Sequence, residues 1–212
     1  MLLTVILLFF LFLALVLLFV ILSEFVAFLR TRVPFVPTHA GDIEFIVKKL
    51  GISSRDVFYD LGSGNGKVVF LVSQLTGAQC VGFELSWWTV LFAKIKNLFF
   101  NPSRPPLWPS FAKASARLRK RGGATAATPS FSKEGVGGVK FRNQNFFKAD
   151  WSGANIIYAY LFPPLMGRVE QKFLADCKPG SIAVIRDFPL PNLKPAEVCY
   201  MPKKHEIYIY KK

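Results

Sequence analysis

The sequence predicts an α/β fold, a mostly parallel sheet wound with helices and carried behind one long apolar N-terminal helix. Two observations predict the sheet. Val57-Phe-Tyr-Asp-Leu61 reads as a buried strand that runs into Gly62-Ser-Gly-Asn-Gly66; a helical stretch from Lys67 to Leu75 follows, and Gln79-Cys-Val-Gly-Phe83 is a second strand ending in Glu84. Beyond it, apolar runs and helical patterns alternate to the C-terminus, as parallel strands joined by crossover helices require. A third observation predicts the leading helix: from Leu2 to Leu22 no side chain is charged and only Thr4 is polar.

The glycine loop narrows the ligand. Glycines at 62, 64 and 66 let the backbone turn tightly and approach a bound molecule, and the helix after them points free N–H groups at it. A dinucleotide loop would space its glycines G-x-G-x-x-G. Here they are one residue closer, and Asp60 stands two positions ahead of the first. That carboxylate repels a diphosphate and suits a ligand with cationic groups, and S-adenosylmethionine bears both an ammonium and a sulfonium. Glu84, at the end of the second strand, stands where doubly wound folds place the acid that holds ribose hydroxyls. Asp60-Leu-Gly-Ser-Gly-Asn-Gly66 followed by Glu84 resembles the first two motifs of class I S-adenosylmethionine-dependent methyltransferases. The resemblance implies a Rossmann-like, mostly parallel seven-stranded sheet with an antiparallel last strand, and cofactor contacts at Asp60, Gly62, Ser63, Gly64, Gly66 and Glu84.

Charge is unevenly distributed. Of the formal +14, the stretch from Asn101 to Lys148 supplies +9, ten Lys or Arg against the single acid Glu134. Residues 101–139 also concentrate Pro, Ala, Ser, Gly and Thr and include the run Arg117-Leu-Arg-Lys-Arg121, the composition of a disordered basic insertion. Such a run suits anionic lipid headgroups or nucleic acid. Cys80, Cys177 and Cys199 are odd in number and lack a C-x-x-C pair, which excludes a disulfide framework or a zinc ribbon. No His/Cys/acid spacing predicts a metal site.

The apolar stretch from Leu2 to Leu22 makes a helix of about 31 Å, enough for a hydrocarbon core of about 30 Å. It lacks the basic start and small-residue cleavage site of a signal peptide. Arg30, Arg32, Lys48 and Lys49 follow it, so the positive-inside rule places the remainder in the cytoplasm. The expected organisation is an anchor over 1–29, a connecting segment over 30–50 and a methyltransferase domain over 51–212.

Val33-Pro-Phe-Val-Pro-Thr38, ahead of a helix with Ile43, Ile46, Val47 and Leu50 in register, sharpens the likeness. It is similar to the segment preceding the methyltransferase domain in a family of protein-lysine methyltransferases, which includes the membrane-anchored enzyme that modifies the ATP synthase c subunit. That resemblance implies that Phe35, Pro37 and Thr38 cap the cofactor and shape an acceptor channel. Phe146-Phe-Lys-Ala-Asp-Trp151 restores the strand pattern after the insertion, and the resemblance implies that Asp150 there holds the adenine amino group. Leu161-Phe-Pro-Pro164 departs from the Asn/Asp-Pro-Pro-aromatic pattern of nucleic-acid amino-methyltransferases, which argues against nucleic acid as substrate. Asp187-Phe-Pro-Leu-Pro191 is similar to the family's Phe-Pro-x-Pro segment, so Phe162 and Phe188 are expected to wall the channel. The helix from Ser86 to Phe100 carries Trp87, Trp88, Leu91, Ile95 and Leu98 in helical register, a stripe expected in the core. His39 and His205 read as a loop residue and a structural one.

The sequence thus predicts a membrane-anchored methyltransferase acting on protein lysine. A small-molecule, lipid or nucleic-acid acceptor stays open, as does an inactive membrane-bound binding protein. Methyl transfer needs a positioned nucleophile more than an acid or base, and no catalytic side chain stands out.

Overall fold

The structure is a computed structural model that describes residues 1–31, 38–99, 138–202 and 205–212. Phe35, Pro37 and most of the basic insertion lie outside the described residues. The chain divides into two compact units, Met1–Pro34 and Phe35–Lys212.

The first unit is a helix, α1 (Leu2–Thr31). Its segment Leu2–Ser23 has a mean hydropathy of 3.6, and by length and composition it is a candidate to cross a membrane.

The second unit is built on a seven-stranded sheet. In chain order its elements are α2 (Ala40–Leu50), β1 (Val57–Leu61), α3 (Lys67–Thr76), β2 (Gln79–Glu84), α4 (Trp87–Phe99), β3 (Val139–Asn143), β4 (Ile156–Ala159), α5 (Met166–Asp176), β5 (Ile182–Arg186), β6 (Glu197–Met201) and β7 (His205–Lys211). The spatial order is β3-β2-β1-β4-β5-β7-β6. The first five strands in that order pair in parallel, and β7 runs antiparallel between β5 and β6. The order reverses between β1 and β4, which opens a crevice at the carboxyl edge beside the glycine loop.

Helices cover both faces, so the central strands are apolar on both sides rather than alternating. Phe58 and Tyr158 face one core with Ile43 of α2, Val69 of α3 and Val90 of α4. Tyr59, Ile157 and Ile185 face the other with Val169 and Phe173 of α5. Gly51 closes α2 in the left-handed region, its N–H bonded to Val47 O.

Three expectations are corrected. The strand expected from Phe146 lies earlier, at Val139–Asn143, where Val139 and Phe141 point inward and Lys140 and Arg142 outward; Phe146–Lys148 is a short 3-10 turn capped by Asn145 Oδ1. The basic insertion therefore ends just before Val139, the first residue of β3. Strand β6 had no counterpart in the sequence reading, since Glu197-Val-Cys-Tyr-Met201 is short and half exposed at a sheet edge. Finally, α4 buries Val90 and Ala93, while of the residues expected in the core Trp87, Leu91, Ile95 and Leu98 are exposed and Trp88 is half-buried.

Candidate active site

The loop 62–66 crosses the carboxyl edge of the sheet between β1 and α3. The N–H groups of Gly62 and Ser63 both donate to Phe83 O at 2.9 Å, which ties the loop to β2. Gly66 has φ +80, and a Cβ there would come within 2.4 Å of Phe141 Cζ. The residue is glycine because the loop, β3 and α3 meet at that point. Gly82 matters for the same reason: a Cβ on it would meet Ser63 Oγ at 2.6 Å. Gly66 has no side chain to cap α3, and the first helical N–H, that of Lys67, donates to Asn65 Oδ1 at 3.3 Å.

Asp60 and Glu84 flank this loop. The Glu84 carboxylate accepts the Gly64 N–H at 2.9 Å through Oε2, and the N–H groups of Leu85 and Ser86 at 2.7 and 2.9 Å through Oε1. These bonds fix the carboxylate against the glycine loop. Asp60 is only 3 % exposed, and neither its Oδ2 nor the Oγ of buried Ser63 has a hydrogen-bond partner among the described residues. Burial, reinforced by the charge of Glu84, pushes the Asp60 carboxyl up to about 8. A buried carboxyl left without a partner is costly, and a cationic group beside it would restore its ionised form. The unpartnered Asp60 carboxyl beside the free Ser63 hydroxyl therefore fits a cationic group such as the ammonium of S-adenosylmethionine.

A second cluster adjoins the loop over β4 and β5. Thr38 is buried; its Oγ1 lies 3.1 Å from Tyr158 Oη, and its carbonyl accepts from Lys67 Nζ at 2.8 Å, so α3 and the segment before α2 are fastened together. Arg186, 1 % exposed, pairs with Asp42 at 2.9 Å and stacks its guanidinium 4.7 Å from the Tyr160 ring. Asp187 adopts φ 61, uncommon for a residue with a side chain. Its carboxylate accepts the Glu206 N–H at 3.1 Å and lies 3.2 Å from His205 Nδ1. The ring of His39 is 5.8 Å from that of His205.

Of the residues singled out in the sequence, the structure brings together Asp60, Gly62, Ser63, Gly64, Gly66 and Glu84, with Thr38 tied to them through Lys67. Leu161 packs 3.2 Å from where a Gly62 Cβ would stand, so the following Phe162, which is exposed, lies beside the loop. Phe188 is half-buried against the α5 core. Asp150 does not join them. Its carboxylate closes a turn on Ser152, accepting the N–H at 2.8 Å and the hydroxyl at 2.9 Å. Those bonds, chiefly, hold its carboxyl below the usual carboxylate range. The turn precedes β4 on the amino side of the sheet, where Asn155 Oδ1 accepts the N–H of Val57, the first residue of β1. The residues that do reach Glu84 lie at the end of β3: Asn143 Nδ2 donates to Glu84 O at 3.0 Å and to Leu85 O at 2.9 Å, and the Gln144 N–H donates to Glu84 O at 3.1 Å. Tyr158, Tyr160, Asp42 and Arg186 were missed. The one signal for them was an arginine closing an apolar strand, which demands a buried partner.

This architecture is shared with known proteins. The family model "ANTKMT methyltransferase domain" matches residues 124–197, and "Histone methylation protein DOT1" matches residues 35–107. A protein-lysine N-methyltransferase of Saccharolobus islandicus is 23 % identical over 84 % of this chain and 93 % of its own length. The mouse adenine nucleotide translocase lysine N-methyltransferase is 25 % identical over 80 % of this chain, which spans 59 % of that relative. An RNA methyltransferase of Salinibacter ruber, solved with S-adenosyl-L-homocysteine, superposes with a TM-score of 0.61 at 23 % identity, covering 83 % of this chain and 93 % of its own. The chain is a class I S-adenosylmethionine-dependent methyltransferase. Within that class it resembles the ANTKMT-type protein methyltransferases.

Proposed function

We propose that this chain N-methylates lysine side chains of a protein substrate, working from the cytoplasmic side of a membrane that α1 crosses. The observation that carries the lysine assignment is the kinship with an archaeal protein-lysine N-methyltransferase across 93 % of that relative. The crevice is chemically compatible. Its acceptor side carries Phe162-Pro-Pro164 and Phe188 instead of an Asn/Asp-Pro-Pro-aromatic segment, so it lacks the polar pair that would grip a nucleobase amine.

In this reading Asp60 takes the ammonium end of the cofactor, Glu84 the ribose hydroxyls, and Ser63 Oγ a further polar atom. When bound, S-adenosylmethionine supplies an activated methyl group. The protein's part is to hold the lysine nitrogen in line with it, an arrangement worth about 7 to 11 kcal/mol of barrier. The nitrogen must arrive neutral, and aromatic and proline walls lower its pKa by desolvation. The Tyr158–Thr38–Lys67 chain keeps the segment before α2 seated on α3 while this happens.

The test is incubation of the protein with radiolabelled S-adenosylmethionine and separated membrane and cytosolic fractions, followed by gel separation and hydrolysis to amino acids. Label recovered as methyl-lysine, and lost with Asp60→Ala, supports the assignment. Label in lipid, nucleic acid or small molecules alone overturns it.

A further inference from the structure

Helix α4 is apolar on two sides. Its inner side packs Val90 and Ala93 into the core and fastens Asn97 Nδ2 to Val139 O at 3.1 Å. Its outer side carries the larger residues, exposed from 38 % at Leu91 to 81 % at Leu98, with Trp87, Phe92, Ile95 and Phe99 between those values. At about 100° per residue these six form one continuous stripe. The same geometry puts Lys94 on one border of the stripe and Lys96 on the other. The helix contains no Asp or Glu.

A wide apolar stripe on a folded surface marks an interaction site. Three features choose its partner. The flanking charge is entirely cationic; lysine stems on the borders can lie along apolar surface while their ammonium groups reach outward; and the Trp87 and Trp88 rings stack at 4.0 Å at the start of the helix, the residue type that settles at membrane interfaces. A protein partner with an apolar groove would be indifferent to an acid-free border, whereas an anionic lipid surface selects it. We propose that α4 lies in the plane of an anionic membrane surface, its stripe among the upper acyl chains and the bordering Lys94 and Lys96 at the phosphates. The contact is independent of whether α1 crosses a bilayer, and of which acceptor the enzyme methylates.

The full chain, reconstituted into phosphatidylcholine vesicles with about one-third phosphatidylserine, tests this. Cys80, Cys177 and Cys199 are buried, so an environment-sensitive NBD dye directs itself to an introduced thiol. One vesicle set carries Leu98→Cys, one Ile95→Cys, and one the control Gln171→Cys, an exposed position on α5 across the sheet. Nitroxide-labelled phosphatidylcholine is expected to quench the dye at 98 and 95 about threefold more than at 171, the difference shrinking when phosphatidylserine is left out. Equal quenching at all three positions overturns the proposal. So does a blue-shifted dye at 98 and 95 that lipid nitroxides do not reach, since protein, either another part of this chain or a second molecule, would then cover the stripe.

Discussion

Oδ2 of Asp42 lies 2.9 Å from Nη2 of Arg186, and the two side chains are only 8 % and 2 % exposed. Asp42 stands in the first turn of α2 and Arg186 closes β5, so one ion pair locks that helix to that strand. Removing one member of such a pair leaves a buried charge. Asp42→Asn is expected to destabilise the second unit by about 3 to 5 kcal/mol. Replacing both partners by apolar residues, Asp42→Leu with Arg186→Met, is expected to recover much of that loss. Urea midpoints at unchanged slope are the measurement.

Asp60 predicts a pH dependence. In the folded chain its carboxyl is pushed up to about 8, against 3.8 for the ordinary group. The folded state therefore holds a proton that the unfolded state has released, and stability from this residue is lost as pH rises from about 4 through about 8. Asp60→Asn should flatten that decline. A cationic ligand favours the ionised form, so binding near neutral pH should expel close to one proton, and affinity should rise toward pH 8 by up to about tenfold per pH unit. Calorimetry of cofactor binding in buffers of different ionisation enthalpy reads the proton count directly. No proton release would place the ammonium elsewhere.

Two glycines that need touch no ligand should nonetheless govern its site. Gly66→Ala combines φ +80 with a Cβ 2.4 Å from Phe141 Cζ, and Gly82→Ala sets a Cβ 2.6 Å from Ser63 Oγ. Overpacking of this kind typically costs about 1 to 3 kcal/mol, and the strained φ at 66 adds to it. The expected result is a folded protein of lower melting temperature that has lost cofactor affinity. Phe141→Leu should restore part of the loss in Gly66→Ala and none in an Asp60 variant.

Much of this was legible in the sequence, for specific reasons. The strand, glycine loop, helix and acid between Val57 and Glu84 are contiguous, so local periodicity and glycine placement reveal them together. The later strands at Ile156 and Ile182 are buried on both faces and read as apolar runs. What escaped depends on partners distant in the chain. Tyr158 and Thr38 meet across 120 positions, and Asp42 and Arg186 are farther apart still. Asp150 looked functional because an acid beside Trp151 suggests an adenine site, yet its carboxylate is spent on Ser152. The stripe of α4 misled because helical register shows which residues share a face, and cannot show whether that face turns toward the sheet.

Glu84 offers the sharpest separation of loop architecture from ligand binding. Its two oxygens accept three backbone N–H groups, from Gly64, Leu85 and Ser86. In Glu84→Gln one oxygen becomes an NH2 group that can only face another donor, so either the Gly64 N–H or the Leu85 and Ser86 pair loses its acceptor, at about 1 to 3 kcal/mol. The proposed ribose contact weakens as well. Affinity for S-adenosyl-L-homocysteine, which lacks the sulfonium charge, is expected to fall about 10- to 100-fold, converting to roughly 1.4 to 2.7 kcal/mol. Asp60→Asn should weaken that product and S-adenosylmethionine alike, since both carry the ammonium that Asp60 is proposed to face, and, unlike Glu84→Gln, it should abolish the rise in affinity toward pH 8. Equilibrium dialysis of both ligands against both variants at about pH 6 and about pH 8 separates the two roles. A pH dependence that survives in Asp60→Asn would mean that this acid supports only the loop, and that the ammonium is held elsewhere along the carboxyl edge.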